Sequence, residues 1–139
     1  MILPGNSIIK RYLIISSCVK KGHLVSMQNL IKKLRKFAKE RDWEKFHSPK
    51  NLAMALSVEV AEIVEQFQWL TEEQSCNLDA RTIEKLKDEI GDVQIYLASL
   101  ADQLGISPLD VAEEKLKKNA AKYPIDKAKG NARKYSEFD

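Results

Sequence analysis

Four acidic residues form two pairs with the same spacing, and they are the residues of this sequence best suited to chemistry. Glu59 and Glu62 lie three positions apart, as do Glu89 and Asp92. Residues three apart share one side of a helix, so each pair would present two carboxylates to the same neighbour. Two such helices side by side would gather four negative charges, which repel one another unless a cation binds between them. Oxygen ligands suit Mg²⁺, with Mn²⁺ as a substitute.

Both pairs lie at or beside an apolar stripe, where a helix that only packs against a core would carry leucine. Glu59 falls beside the stripe between positions 52 and 70, and Glu89 borders the one between positions 83 and 104. A buried carboxylate without a partner is costly, so protonation, basic partners or a metal ion must compensate. A di-iron site would pair each glutamate with a histidine three positions on. The chain has only His23 and His47, which disfavours iron.

The alternative is a structural role, in which these acids are rim residues paired with lysines. Such a helical bundle would gain no stability from added Mg²⁺, whereas a metal-binding bundle would. The pattern of acids alone leaves both interpretations open.

The elements that must position these acids are helices, because from Met27 onward no stretch alternates like a strand. Apolar periodicity and capping signals predict four long helices, over about 28–41, 49–70, 82–104 and 108–123. Serine followed by proline begins the second and the fourth, and Gly105 ends the third. The tail over 125–139 is polar and is predicted to be irregular. The expected fold class is all-α: a compact four-helix bundle that self-associates.

The charge distribution argues against binding to a nucleic acid polymer. The chain has 23 basic and 20 acidic residues, but residues 1–26 hold four of the basic ones and no acid. Residues 27–139 therefore carry 19 basic and 20 acidic side chains, without the excess of basic residues typical of nucleic-acid-binding proteins. The two cysteines form no metal or disulfide pattern, which predicts a reducing, cytoplasmic location.

The 139 residues fit one domain preceded by an extension. Residues 1–26 are predicted to be a non-conforming N-terminal extension, one that does not share the helical pattern of the rest of the chain. Residues 27–139 are predicted to form the domain. The apolar run from Tyr12 to Val19 is too short to cross a membrane, and Lys10 and Arg11 interrupt the apolar stretch that an export signal would need. Met27 offers a second translation start, so we expect the extension to be dispensable and no membrane association.

Three stretches of the chain also resemble the conserved blocks of a known family. They read ERDWEKFHSPKNLAMALSVEVAEIVEQFQW, DEIGDVQIYLASLA and KNAAKYPIDKAKGNARKY, in this order. With Glu59-x-x-Glu62 and Glu89-x-x-Asp92, they resemble the MazG-like all-α nucleoside triphosphate pyrophosphohydrolases, and most closely the dCTP pyrophosphatase branch. The resemblance covers residues 27–135 and omits the extension.

This resemblance implies Mg²⁺-dependent hydrolysis of (deoxy)nucleoside triphosphates, dCTP first, to the monophosphate and pyrophosphate. The four acids would bind the metal ion, and Glu59 and Glu62 would also take part in catalysis. The resemblance further implies a homodimer or a homotetramer. A helical nucleotide-binding or partner-binding module with little catalysis is the alternative.

Further residues would contact the nucleotide according to the same resemblance. Trp69 and Tyr96 offer aromatic faces to the base, and His47 and Asn51 could hydrogen-bond the base or sugar. The residues implied for the phosphates are Asn119, Lys122, Tyr123, Lys134 and Tyr135. The family often has arginine where this chain has Lys122, and lysine loses the two-pronged geometry of arginine. Each residue could instead have only a structural role, in the core or on the surface.

Overall fold

A computed structural model of the chain describes residues 26–138, and predictions about residues 1–25 lie outside this part. The described elements are α1 (Met27–Lys39), a 3₁₀ turn (Glu44–Phe46), α2 (Pro49–Phe67), α3 (Glu72–Ser75), α4 (Ala80–Gln103), α5 (Pro108–Lys122), α6 (Ile125–Ala128) and a second 3₁₀ turn (Tyr135–Glu137). The part of the chain that the structure describes has no strand. The all-α prediction with four long helices is therefore confirmed, with ends that agree to within one turn.

Local capping explains where the helices begin. Ser48 Oγ accepts a hydrogen bond from the Asn51 amide at 3.3 Å, and Pro49 occupies the first turn of α2. The α4 helix starts slightly earlier than predicted because Asp79 Oδ1 accepts from the Thr82 amide at 2.7 Å. Ser107 precedes α5 as expected, but its side chain makes no capping hydrogen bond.

The prediction of an irregular tail was wrong for part of it. Pro124 is followed by the short helix α6, in which the Ala128 amide donates to the Pro124 carbonyl at 2.9 Å. Proline fixes its own φ at a value suited to the start of a helix, and Asp126 places a negative charge in the first turn.

The core forms where α4 packs against α2 and, less extensively, against α1. Its buried apolar side chains are Ala38, Leu52, Leu86, Ala98 and Ala101. The fourth long helix lies largely outside this core. On α5, Leu109, Val111 and Leu116 are 58%, 47% and 68% exposed. Within the described residues, the packing that positions the acids is thus the α2–α4 pair.

None of the helices in residues 26–138 is both long and apolar enough to cross a membrane.

Candidate metal centre and aromatic cavity

Packing of α2 against α4 brings the acidic pairs together. Carboxylate oxygens of Glu59, Glu89 and Asp92 all lie within 4.8 Å of one another, and the three side chains are half-buried. Oxygens on opposite sides of one Mg²⁺ ion are about 4 Å apart, so the observed spacing is close to that of a single-ion site. The three oxygen donors thus fit a hard divalent cation in both kind and distance.

Glu62 lies beside this trio rather than within it. Its side chain is exposed, yet it lies close enough to Glu89 to raise the pKa of that carboxyl. The four acids that the sequence singled out therefore form one cluster, which we call the acid cluster. In the acid cluster, Glu59, Glu89 and Asp92 are the candidate metal ligands, and the carboxylate of Glu62 is exposed to solvent.

The electrostatics of the acid cluster show that its charges are not neutralised by basic residues. Burial, and then the charges of Glu62 and Asp92, raise the pKa of Glu59. Burial, followed by the charge and hydrogen bond of Glu62, raises the pKa of Glu89. No lysine or arginine of the described residues counteracts these shifts, and the ion pairs found among residues 26–138 include none of the four acids. The alternative of lysine-paired rim acids is therefore disfavoured, and the acid cluster is a candidate site for a cation.

An aromatic cavity of about 210 Å³ adjoins the acid cluster, and Asp92 belongs to both. Its lining side chains are Leu34, Phe37, Trp43, His47, Leu52, Asp92, Ile95, Tyr96 and Ser99. The Trp43 ring lies edge-on to Phe37 at 5.8 Å between centroids and to His47 at 6.4 Å. A planar ring in this cavity would meet aromatic faces on one side and the acid cluster on another.

The end of α1 builds one wall of the aromatic cavity. Asp42 has a positive φ of 54°, and the Trp43 amide donates back to the Ala38 carbonyl at 3.0 Å. This left-handed ending usually carries glycine, although aspartate tolerates it. It folds the chain back on α1, so that Trp43 packs against Phe37.

Three of the site residues predicted from the sequence line this cavity, His47, Asp92 and Tyr96, whereas Trp43 and Phe37 were not predicted. The signal that could have found Trp43 is the concentration of aromatic residues in the connection between the first two long helices, and Phe37 lies in the last turn of α1. Asn51 is close in sequence to His47 but does not line the cavity. Its side-chain amide donates instead to the Phe46 carbonyl at 2.9 Å.

The remaining predicted nucleotide contacts lie elsewhere in the chain. Trp69 follows α2, is 86% exposed and does not line the aromatic cavity. The five predicted phosphate contacts lie on α5 and in the tail, outside both the cavity and the acid cluster. There, the Tyr123 and Tyr135 rings meet edge-on at 5.8 Å, and Lys122 Nζ lies 4.9 Å from the Tyr135 ring centre. Within one chain, the predicted nucleotide contacts therefore do not form a single site.

Comparisons with known proteins agree with this architecture. The profile of the MazG-like family matches residues 54–138. Human dCTP pyrophosphatase 1 is 42% identical over 105 residues, which cover 73% of this chain and 61% of that protein. Bovine dCTP pyrophosphatase 1 is 38% identical over 104 residues, covering 73% and 62%. The chain thus spans less than two thirds of the length of these relatives.

The crystal structure of a pyrophosphatase from Archaeoglobus fulgidus has the same fold. It superposes with a TM-score of 0.68 at 39% identity, covering 76% of this chain and 98% of the archaeal one. The match of the family profile to more than half of the sequence and this likeness in structure lead to one conclusion: the chain belongs to the MazG-like family.

Proposed function

We propose that this protein hydrolyses (deoxy)nucleoside triphosphates, dCTP in preference, to the monophosphate and pyrophosphate, with Mg²⁺ as cofactor and Mn²⁺ as a substitute. The observation that carries the proposal is the junction of the acid cluster with the aromatic cavity at Asp92. A nucleotide has the same two parts, a polyanion that needs a metal ion and a flat base that stacks on aromatic rings. The named activity of the human and bovine relatives supports the choice of dCTP.

The four acids would have two different roles, which follow from their positions in the acid cluster. Glu59, Glu89 and Asp92 would hold the divalent ion, which supplies charge neutralisation for the phosphates. Glu62 stands outside this trio, exposed to solvent, and would orient the attacking water and accept its proton. Attack of that water on the α-phosphorus breaks the bond to the bridging oxygen and releases pyrophosphate.

The aromatic cavity would bind the base. Trp43 and Tyr96 offer ring faces, which accept any base, so selectivity must come from hydrogen bonds. His47 is placed to supply one, since its ring lines the same cavity beside Trp43.

The experiment is product analysis with a panel of the four dNTPs and Mg²⁺, with products separated by anion-exchange chromatography. We expect dCTP to be converted fastest, to dCMP and pyrophosphate, and Glu62→Gln to be inactive although folded. Orthophosphate with a diphosphate as products would reject the reaction class. Equal turnover of all four dNTPs would reject only the dCTP preference. Nucleotide binding without hydrolysis would support the alternative of a binding module.

We further propose that the protein acts as a homodimer or homotetramer in the cytoplasm. The exposed apolar side chains of α5 and neighbouring helices support self-association, as with Leu116 at 68% and Ile90 at 57% exposure. Sedimentation velocity measures the assembly, and a monomer at micromolar concentration would reject it.

A further inference from the structure

An ion pair between Arg35 and Asp102, which we call the clamp, joins α1 to α4. Arg35 Nε and Nη2 donate to the two carboxylate oxygens of Asp102 at 2.7 and 2.6 Å, a two-pronged arrangement that fixes direction as well as distance. The two residues are 67 positions apart in sequence. Five other ion pairs of the described residues join positions no more than four apart, so they cannot hold one helix against another.

The clamp lies one layer of side chains away from the aromatic cavity. A smaller cavity of about 50 Å³ is lined by both Arg35 and Asp102. The side chains that line this smaller cavity and the aromatic cavity alike are Leu34, His47, Leu52 and Ser99. A shift of α1 at the clamp would therefore move the wall of the aromatic cavity directly.

Besides the clamp, half-buried apolar side chains such as Ile31 and Leu34 hold α1 against the rest of the described residues. Ala38 is the only side chain of this helix that is buried, and α1 makes fewer contacts with α4 than α2 does. Yet α1 supplies Leu34 and Phe37 to the aromatic cavity, and its C-terminal end positions Trp43. The acid cluster, in contrast, lies on α2 and α4, which pack together without α1.

We propose that Arg35 and Asp102 are positioning residues that hold α1 as the wall of the aromatic cavity and so set the affinity and base selectivity for the nucleotide. This inference rests on the proposed function, because it assigns the base to that cavity. The clamp would act mainly on base recognition, since α1, which it holds in place, carries none of the four acids.

The test compares Arg35→Ala and Asp102→Asn with the wild-type protein in steady-state kinetics on the four dNTPs. We expect KM for dCTP to rise about three- to tenfold, with kcat changed less than about twofold. The preference for dCTP over the other dNTPs should fall in parallel. The stabilisation by Mg²⁺ alone, measured by thermal unfolding without nucleotide, should stay at the wild-type value.

Two further variants separate positioning from general stability. Exchanging the charges, Arg35→Asp with Asp102→Arg, should restore most of the affinity if the pair itself matters. Lys36→Ala is the matched control, because it removes an ion pair with Glu40 that stays within the end of α1. We expect this control to keep wild-type KM and selectivity.

Unchanged KM and selectivity in a folded Arg35→Ala protein would overturn the clamp proposal while leaving the proposed function intact. A loss of Mg²⁺ stabilisation equal to the loss of nucleotide affinity would also overturn it, because a general structural role predicts both. If the wild-type protein neither binds nor hydrolyses any dNTP, the proposed function fails and the clamp proposal fails with it. The failure is then seen in the wild type, not in the variants.

Discussion

Neutralising one acid of the cluster should stabilise the metal-free protein and abolish its response to Mg²⁺. The substitution is Glu59→Gln, which keeps the size of the side chain and removes its charge. Burial, then Glu62 and Asp92, raise the pKa of Glu59 above its ordinary value of 4.5 in the folded state. A raised carboxyl pKa contributes stability that is fully present below the unfolded pKa and is lost as the pH rises through the folded pKa. At neutral pH the Glu59 charge therefore opposes folding until a cation binds.

The substitution and Mg²⁺ binding each raise the free energy of unfolding, but by different amounts. A like-charge pair at helical spacing costs about 0.2–0.5 kcal/mol, and solvent screening keeps the repulsion felt by the half-buried Glu59 near that range. Glu59 has one such partner on its own helix, Glu62, and a second across the helix pair, Asp92. Glu59→Gln should therefore raise the free energy of unfolding of the metal-free protein by about 0.5 kcal/mol, or about 2 °C in Tm. Mg²⁺ at a hundred times its Kd should add about 2.7 kcal/mol to the wild type, roughly 10 °C.

The assay is thermal unfolding with EDTA and with excess Mg²⁺, at about pH 5 and about pH 7.5. In the wild type the Mg²⁺ effect should be larger at the higher pH, because the ion competes with protons for the same oxygens. The control is Glu65→Gln, an exposed acid of the same helix outside the acid cluster, which should keep the Mg²⁺ effect. A Glu59→Gln protein that responds to Mg²⁺ like the wild type would show that Glu59 does not bind the ion. Destabilisation of the metal-free protein by this substitution at pH 7.5 would show that the Glu59 charge does not oppose folding.

Three further predictions follow from the same structure. Trp43→Ala should weaken dCTP binding about tenfold in calorimetry through lost stacking, whereas Phe46→Ala, in the adjacent turn but off the cavity, should not. A protein starting at Met27 should keep the fold, the assembly and the activity of the full chain, and loss of any of them by circular dichroism, sedimentation or product analysis would assign the extension a role. Leu52→Ala should cost about 2–5 kcal/mol in denaturant unfolding, because Leu52 is 2% exposed and borders both cavities, whereas Leu116→Ala on exposed α5 should cost much less.

The helices were predictable because the forces that begin and end them are local. Ser48 and Pro49 act within one turn of α2, and Gly105, with a φ of 66°, follows the end of α4. The packing between helices could not be predicted in this way. Apolar periodicity indicates which face of a helix is buried, but not which other helix packs against that face. Consequently the periodicity of α5 predicted a fourth packed helix, whereas its apolar side chains are largely exposed in the single chain.

The acid cluster was predictable for the same local reason, but the aromatic cavity was not. A spacing of three residues puts both acids of a pair on one side of a helix wherever that helix packs. The position of Trp43, however, depends on a left-handed residue at Asp42, and the sequence has no glycine there to signal it. Trp69 is the converse case. The family resemblance implied a base contact for it, but α2 ends at Phe67 and leaves the Trp69 ring exposed in the single chain. Its role in binding stays a prediction.

The negative charge of the site links the proposed phosphate contacts on α5 and in the tail to the proposed self-association. A triphosphate brought to the acid cluster adds its own negative charge to that of the four carboxylates. One divalent ion cannot neutralise the triphosphate and the carboxylates together. Among the described residues, no lysine or arginine lowers the pKa of Glu59 or Glu89, and none lines the aromatic cavity. The cations that the sequence offers for phosphate, Lys122 and Lys134, lie on α5 and in the tail, where the apolar side chains are exposed. If these lysines hold phosphate, self-association through α5 is the simplest way to bring them to the acids of a second copy. Phosphate binding by Lys122 should therefore be lost in any variant that is monomeric.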